Sequence, residues 1–253
     1  AVMRIGGGAS RVLLASRSGR VVRDGRGREA QLHAMGASAA VLVCDSADTY
    51  DTGALFFAAN RLAGVLHAAG AGDKGLLVEL HTHRLQWMHA PKAMGAWYLQ
   101  HAATTAPLET RVLFSSVGSG LGNVGQANYA AGNACLDAHA ILRRACGTAA
   151  CSLQWPLVGG AGMGAAAFAA RGERQITIAG LAAISLEEYV TCLRRQLATG
   201  VGVACSVQVV HHSEVRVLLQ DLADPSQPRF GEVVAQTKLT PANAGSMTPT
   251  IAS

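Results

Sequence analysis

Short apolar runs recur along this chain with helix-length stretches between them, and that alternation leaves few folds open. RVLLAS (11–16), SAAVLVC (38–44), LAGVLH (62–67), TRVLFS (110–115), ACSLQW (150–155) and ACSVQVV (204–210) have the length and aliphatic content of buried strands. Helical patterns are expected over about 28–36, 47–60, 83–104 and 126–146. A further helix is expected in SLEEYVTCLRRQLATG, which opens on a capping-box pattern, Ser185 and Glu188, and closes on Gly200. Pro156 stops the fifth run, and a Gly/Ala-rich loop region follows over 157–183. Strands that alternate with helices predict an α/β fold, a doubly wound parallel sheet covered on both faces.

Composition supports a large core. The chain has 253 residues, 50% hydrophobic and only 15% charged, which suits one large domain, or a domain with an extension, with close helix–sheet packing. No apolar run reaches membrane-spanning length, and AVMRIGGGAS lacks a signal-peptide core, so a cytoplasmic location without membrane contact is expected. Six cysteines occur without a CxxC pair or a His/Cys grouping of zinc spacing, so no metal site is expected. Net charge is +5, with Arg4, Arg11, Arg17, Arg20, Arg23, Arg26 and Arg28 opposed only by Asp24 before Glu29. Such a cluster could meet a phosphate or an acidic partner, or be a solvated loop. Aromatics do not interleave with it, which argues against nucleic acid as a partner.

In doubly wound sheets, ligands bind beyond the carboxyl ends of the strands. Here those positions read Arg17-Ser18-Gly19, Asp45-Ser46, Ala68-Ala69-Gly70, Ser115-Ser116 and Pro156. They are small, polar or backbone-exposing, and would converge on one rim. Tyr129 and Asn133 follow at helical i, i+4 spacing and share a helix face. A free phenol, with a pKa near ~10, is a poor proton donor and acceptor at neutral pH unless an ammonium stabilises the phenolate. The chain has only three lysines, Lys74, Lys92 and Lys238, against eighteen arginines, so a compact point charge inside a helical run, as at Lys92, draws notice.

GVLHAAG, APKAMGAWYL, VLFSSVGSGLGNVGQANYAAGNACLDA and LQW followed by GM resemble the ketoreductase domain of type I polyketide synthases, a branch of the short-chain dehydrogenase/reductase superfamily. The resemblance runs from about Gly8 to Gln220 and implies a Rossmann-like fold. Lys92, Ser116, Tyr129 and Asn133 match the family's catalytic tetrad in type, order and spacing. It implies that Tyr129 protonates a carbonyl oxygen as hydride arrives from NADPH, and that Ser116 hydrogen-bonds the same oxygen. Lys92 would favour the phenolate and contact the nicotinamide ribose, and Asn133 would support a proton-replacing polar network. Arg17, next to Ser18, would meet the 2′-phosphate, and Asp45, next to Ser46, would lie near adenine. His67, Ala68, Ala69 and Gly70 would lie under the cofactor, which Lys92 and Tyr129 also touch. The implied reaction is reduction of a β-ketoacyl thioester carried on acyl carrier protein, with other polyketide synthase domains as partners.

The chain also departs from the family pattern. The expected first strand, its TGGxGxxG turn and the following helix are missing before RVLLAS. A parallel crossover takes a dozen or more residues, so Val2–Ile5 is not expected as a first strand of normal topology, nor Gly6–Gly8 as its phosphate turn. The strands at 11–16 and 62–67 should then lack a bridging partner. Residues 1–10 are expected to be irregular, 11–222 to form the ketoreductase-like domain, and 223–253 to be a linker or disordered tail. The departure suggests a fragment, a truncated product or a non-catalytic remnant, with weak affinity for NADPH. A fatty-acid synthase ketoreductase stays open as an alternative. The family's LDD motif reads Gly72-Asp73-Lys74 here, the A-type tryptophan position is Leu121, and Asn128 leans toward the B-type, so the hydroxyl configuration stays open.

Overall fold

The structure, a computed structural model, describes residues 2–4, 11–19, 38–59, 62–105, 108–122, 125–158, 183–198, 207–209 and scattered positions between 217 and 234. The strands are β1 (Val2–Arg4), β2 (Arg11–Ser16), β3 (Ser38–Val43), β4 (Gly64–His67), β5 (Thr110–Ser116), β6 (Cys151–Trp155) and β7 (Val207–Val209). They make one sheet in the order β3-β2-β1-β4-β5-β6-β7. The helices are α1 (Thr49–Ala59), α2 (Thr82–His89), α3 (Gly95–Ala102), α4 (Gly118–Leu121), α5 (Ala127–Ala145) and α6 (Leu186–Ala198). The expected helix over 28–36 and the loop over 159–182 lie outside the described residues, as do Gly200 and most of 223–253.

Every strand pair is parallel except those made by β1, which runs antiparallel to both neighbours. Met3 pairs with Leu13 on one side and Val65 on the other. This corrects the expected gap: β2 and β4 are bridged, and residues 2–4 of the segment expected to be irregular form a strand. The physical reason is the crossover rule itself. An antiparallel neighbour can be reached through a short link, so a strand ending at Arg4 can pair with one starting at Arg11. Its direction is the reverse of a normal first strand. Arg4 lies opposite Val12 and Gly64, so the chain leaves β1 at the sheet edge away from the carboxyl ends of β2 and β4.

Period-two alternation sorts β5 between two helical layers. Leu113 packs with Ala96 of α3 and with Leu136 and Ala140 of α5. Val112, one residue earlier, packs on the other face with Leu153 and Trp155 of β6, against Tyr189, Cys192 and Leu193 of α6. Beside the first layer, Leu13 and Val65 meet Leu55 and Ala59 of α1 and Leu99 of α3. Full burial of Leu136 and Leu153 marks the centre of these clusters. The α6 cap forms as its sequence predicts: Glu188 N–H donates to Ser185 Oγ at 3.2 Å, and Ser185 N–H donates to Glu188 Oε2 at 2.7 Å.

The single helical region expected over 83–104 is divided. Between α2 and α3, Ala90–Met94 forms a π-turn, in which Gly95 N–H reaches back to Ala90 O. Pro91 opens this turn, where its missing N–H does least harm. Single π-turns of this kind alter the angular position of the side chains they carry, and here that side chain is Lys92.

Candidate active site

The carboxyl ends of β2, β3, β4 and β5 form one rim, and the expected site residues lie along it. At the β2 end the chain turns through Arg17 and Ser18, both exposed, to Gly19 at φ 63°, whose N–H donates to Ser16 O at 3.1 Å. Any Cβ at Gly19 would also stand 2.7 Å from Val43 Cγ2, so glycine is required twice over. Cys44 N–H donates to the same Ser16 O at 3.0 Å, which holds the β2 and β3 ends together. Half-buried Asp45 accepts from Ala47 N–H through Oδ1 at 2.9 Å, while its own N–H donates to Asp51 Oδ2 at 2.8 Å.

His67, at the end of β4, is wholly buried, and neither ring nitrogen has a hydrogen-bond partner among the described residues. Burial first, and positive charge including that of Lys92 second, push it down to about 3, so it is neutral. The Pro91 and Lys92 backbone favours the protonated ring slightly, without a well-formed hydrogen bond. Gly95 makes room for this packing: a Cβ there would lie 2.8 Å from Ser46 Oγ and 3.0 Å from His67 Cε1. Ala68, Ala69 and Gly70 follow as coil with little side chain to block backbone approach.

The π-turn aims Lys92 inward. The residue is 3% exposed, and its Nζ donates to Phe114 O on β5 at 3.0 Å. Its stem lies along α5 at Gly132, where a Cβ would stand 3.8 Å from Lys92 Cδ. The ammonium sits over the Tyr129 ring, 5.7 Å from the centroid. Desolvation lowers Lys92 to about 8, and the Asp137 charge opposes that fall. Ser116, the last residue of β5, accepts from Gly118 N–H through Oγ at 3.2 Å. That contact uses a lone pair and leaves the hydroxyl proton to donate elsewhere. Asn133 is fully buried and donates through Nδ2 to Tyr129 O at 2.9 Å, while its Oδ1 has no partner among the described residues.

Tyr129 is thus in contact with both Lys92 and Asn133, and Ser116 ends the strand whose Phe114 carbonyl receives Lys92. Arg17, Ser18 and Asp45 belong to a separate stretch of the same rim. Two features escaped the sequence reading. Asp73 forms an ion pair with Arg84 and accepts from Asn128 Nδ2 at 2.6 Å, and Asn128 Oδ1 accepts from Tyr129 N–H at 2.8 Å. A loop clasp therefore ends on the backbone of Tyr129, and an arginine six residues short of the π-turn gave no sign of it. The other is Asp137, whose signal was present: it continues the i, i+4 series of Tyr129 and Asn133 in a chain of only 15% charged residues.

A Rossmann-type sheet with serine, tyrosine and lysine gathered at its rim has the features of a short-chain dehydrogenase/reductase-like oxidoreductase. Comparison narrows this. The KR domain family matches residues 3–160. Polyketide synthase GfsA of Streptomyces halstedii is 46% identical over 153 residues, 59% of this chain and 2% of that protein. The spectinabilin polyketide synthase system protein NorB of Streptomyces orinoci is 37% identical over 196 residues, 76% of this chain and 9% of that protein. The PlmKR1 ketoreductase from the first module of phoslactomycin biosynthesis in a Streptomyces species superposes with a TM-score of 0.75 at 30% identity, covering 89% of this chain and 52% of that one. The chain belongs to the ketoreductase (KR) domain family of polyketide synthases. It spans a few per cent of those synthases and about half of the solved ketoreductase.

Ketoreductase domains of this superfamily take a nicotinamide cofactor, and other synthase domains are their neighbours in the related multidomain proteins. The residues present suit such a cofactor at its ends: an exposed guanidinium after β2 and a half-buried carboxylate after the adjacent β3, and a buried ammonium beside a phenol. Its pyrophosphate lacks the usual seat among the described residues, because β1 runs the wrong way to lead a helix N-terminus to the rim. No helix among the described residues is long and apolar enough to cross a membrane.

Proposed function

We propose that this chain carries the proton-delivery half of an NADPH-dependent reductase, which converts a β-ketoacyl thioester on acyl carrier protein to the β-hydroxyacyl thioester during polyketide assembly. The observation that carries the reading is Lys92 packed over Tyr129 beside the Ser116 strand end, with Asn133 bonded behind them. NADPH, when bound, supplies the hydride. Tyr129 Oη gives its proton to the substrate oxygen. Ser116 Oγ, already accepting from Gly118, donates its own proton to that oxygen and holds it as charge develops. The Lys92 ammonium favours the phenolate left behind. Asn133 fixes the first turn of α5 and offers Oδ1 to a water or substrate donor. Arg17 would hold the 2′-phosphate that separates NADPH from NADH, and Asp45, Ser46, Ser18 and the His67–Gly70 segment would border the remaining cofactor.

A second reading, a ketoreductase remnant without turnover, is favoured by one observation, the reversed β1. Oxidation of NADPH in the presence of a small β-ketoacyl thioester decides between them. The proposal expects turnover that falls about a hundredfold or more in Tyr129→Phe, with an unchanged circular dichroism spectrum. Equal turnover in the variant overturns the mechanism. Absence of turnover in the wild-type chain favours the remnant.

A further inference from the structure

Neither proton delivery nor cofactor binding gives Asp73 a task, yet its carboxylate holds side chains from two helices. Arg84 Nη2 on α2 donates to Oδ1, Asn128 Nδ2 on α5 donates to Oδ2 at 2.6 Å, and Lys74 N–H donates to Oδ1 at 2.9 Å. A carboxylate that only accepts is the ionised form, and the Arg84 guanidinium holds this one below its ordinary range. Arg84 Nη2 also donates to Lys74 O at 2.6 Å, and Gly75 N–H donates to Gly125 O at 2.9 Å. The 73–75 loop is therefore fastened both to α2 and to the turn that leads into α5.

Each arm of this tie ends close to a group of the site. Tyr129 stands in the first turn of α5, where its N–H has no carbonyl one turn back inside the helix. Asn128 Oδ1 accepts that N–H at 2.8 Å. The amide can present its oxygen there only with its nitrogen turned to the carboxylate, so Asp73 dictates which end of buried Asn128 faces Tyr129. On the other arm, Arg84 stands about two helical turns before Lys92, in the helix that continues into the π-turn. α2 and its π-turn also meet α5 at Gly132, where a Cβ would lie 3.8 Å from Met88 O and 3.8 Å from Lys92 Cδ. A single contact of that kind leaves a helix pair free to pivot, and the Asp73 tie supplies a second point of attachment.

We propose that Asp73 is a positioning residue of the reductive site: by holding Arg84 of α2 and Asn128 of α5 on one carboxylate, it sets the angle between the helices that bring Lys92 to Tyr129. The task rests on reading Lys92, Ser116 and Tyr129 as the reductive site, whereas the tie between the helices does not. The test exchanges the two partners. Asn128→Asp sets one carboxylate against another at about pH 8. Asp73→Asn combined with Asn128→Asp restores a matched pair: the amide at 73 accepts from Arg84 and donates to the carboxylate at 128, which still accepts from Tyr129 N–H. In the 253-residue chain, Asn128→Asp should lower kcat for a small β-ketoacyl thioester about tenfold or more with the KM for NADPH unchanged, and the double variant should regain most of it. A second readout needs no turnover. With isotope-labelled lysine, Lys74, Lys92 and Lys238 give three side-chain nuclear magnetic resonance signals; Lys92→Arg identifies one, and Tyr129→Leu shows how far the ring displaces it. The Lys92 signal should move toward its Tyr129→Leu position in Asn128→Asp and return in the double variant. An unmoved signal in a folded Asn128→Asp chain, or one that the double variant fails to return, overturns the proposal, as does a moved signal with kcat unchanged. If Asn128→Asp does not fold, the double variant decides: a folded chain with the wild-type Lys92 signal supports the tie, and failure to fold refutes it. A wild-type chain without turnover that shows both movements of the signal would overturn the reductive reading and leave the tie intact.

Discussion

His67 and Lys92 are both held toward their neutral forms by burial, and they leave opposite marks on stability. The folded His67 titrates at about 3 against an ordinary 6.5, so as pH falls below 6.5 the unfolded chain binds the proton first. Stability is therefore lost downward from 6.5, by about 1.4 kcal/mol for each pH unit from this residue alone. Lys92 titrates at about 8 against 10.5, so the unfolded chain holds more protons between those values and stability rises with pH across that window. Below about 8 the folded chain bears the full cost of a buried ammonium. Urea unfolding followed against pH should show both limbs. His67→Leu should flatten the acid limb, and Lys92→Met the alkaline one. A limb unchanged by its own substitution would refute that assignment.

At the scale of elements, the π-turn between α2 and α3 depends on Gly95. A methyl group there meets Ser46 Oγ at 2.8 Å and the His67 ring at 3.0 Å, and the ring is buried and cannot retreat. Gly95→Ala should cost about 1–3 kcal/mol in denaturant unfolding. It should also lower turnover more than Ala93→Gly, because the displaced turn carries Lys92. Equal turnover in the two variants would show that the turn does not set the lysine. This element also marks how far the sequence could be read. Apolar spacing over 83–104 reveals a helix, but one extra residue in a turn leaves that spacing almost unchanged, so the π-turn was hidden. The α6 cap was legible because Ser185 and Glu188 act within one turn. Asp73, Asn128 and Arg84 meet only after two loops fold, and residue spacing holds no record of that.

For the whole molecule, the informative failure was at β1. The crossover rule correctly denied a normal first strand to Val2–Ile5, yet it says nothing against an antiparallel one, and no pattern in three residues reveals strand direction. The type, order and spacing of Lys92, Ser116, Tyr129 and Asn133 can be read along the chain as a motif, whereas the three donors to the Asp137 carboxylate, Ser119, Ser152 and Gln154, come from separate elements that meet only in the fold. Met3 stands at the middle of β1, paired on both sides. Met3→Pro removes a ladder donor and places a ring in a central strand, which should cost about 3 kcal/mol or more in denaturant unfolding. A loss no larger than that of an exposed-loop substitution would show that β1 contributes little.

The reversed strand has a further consequence for how the sheet is assembled. A normal central strand is tied to its neighbours by a helix that must wrap across one face, so it cannot be exchanged without rebuilding a layer. Among the described residues β1 is tied to no such helix, and it pairs through its backbone with Leu13, Leu66 and their neighbours. It behaves as a seam between two panels, β2–β3 and β4–β7, rather than as the spine from which both grow. Each panel has its own parallel register, and what spans the seam besides β1 is one shared apolar core, in which Leu13 of β2 and Val65 of β4 meet Leu55 of α1 and Leu99 of α3.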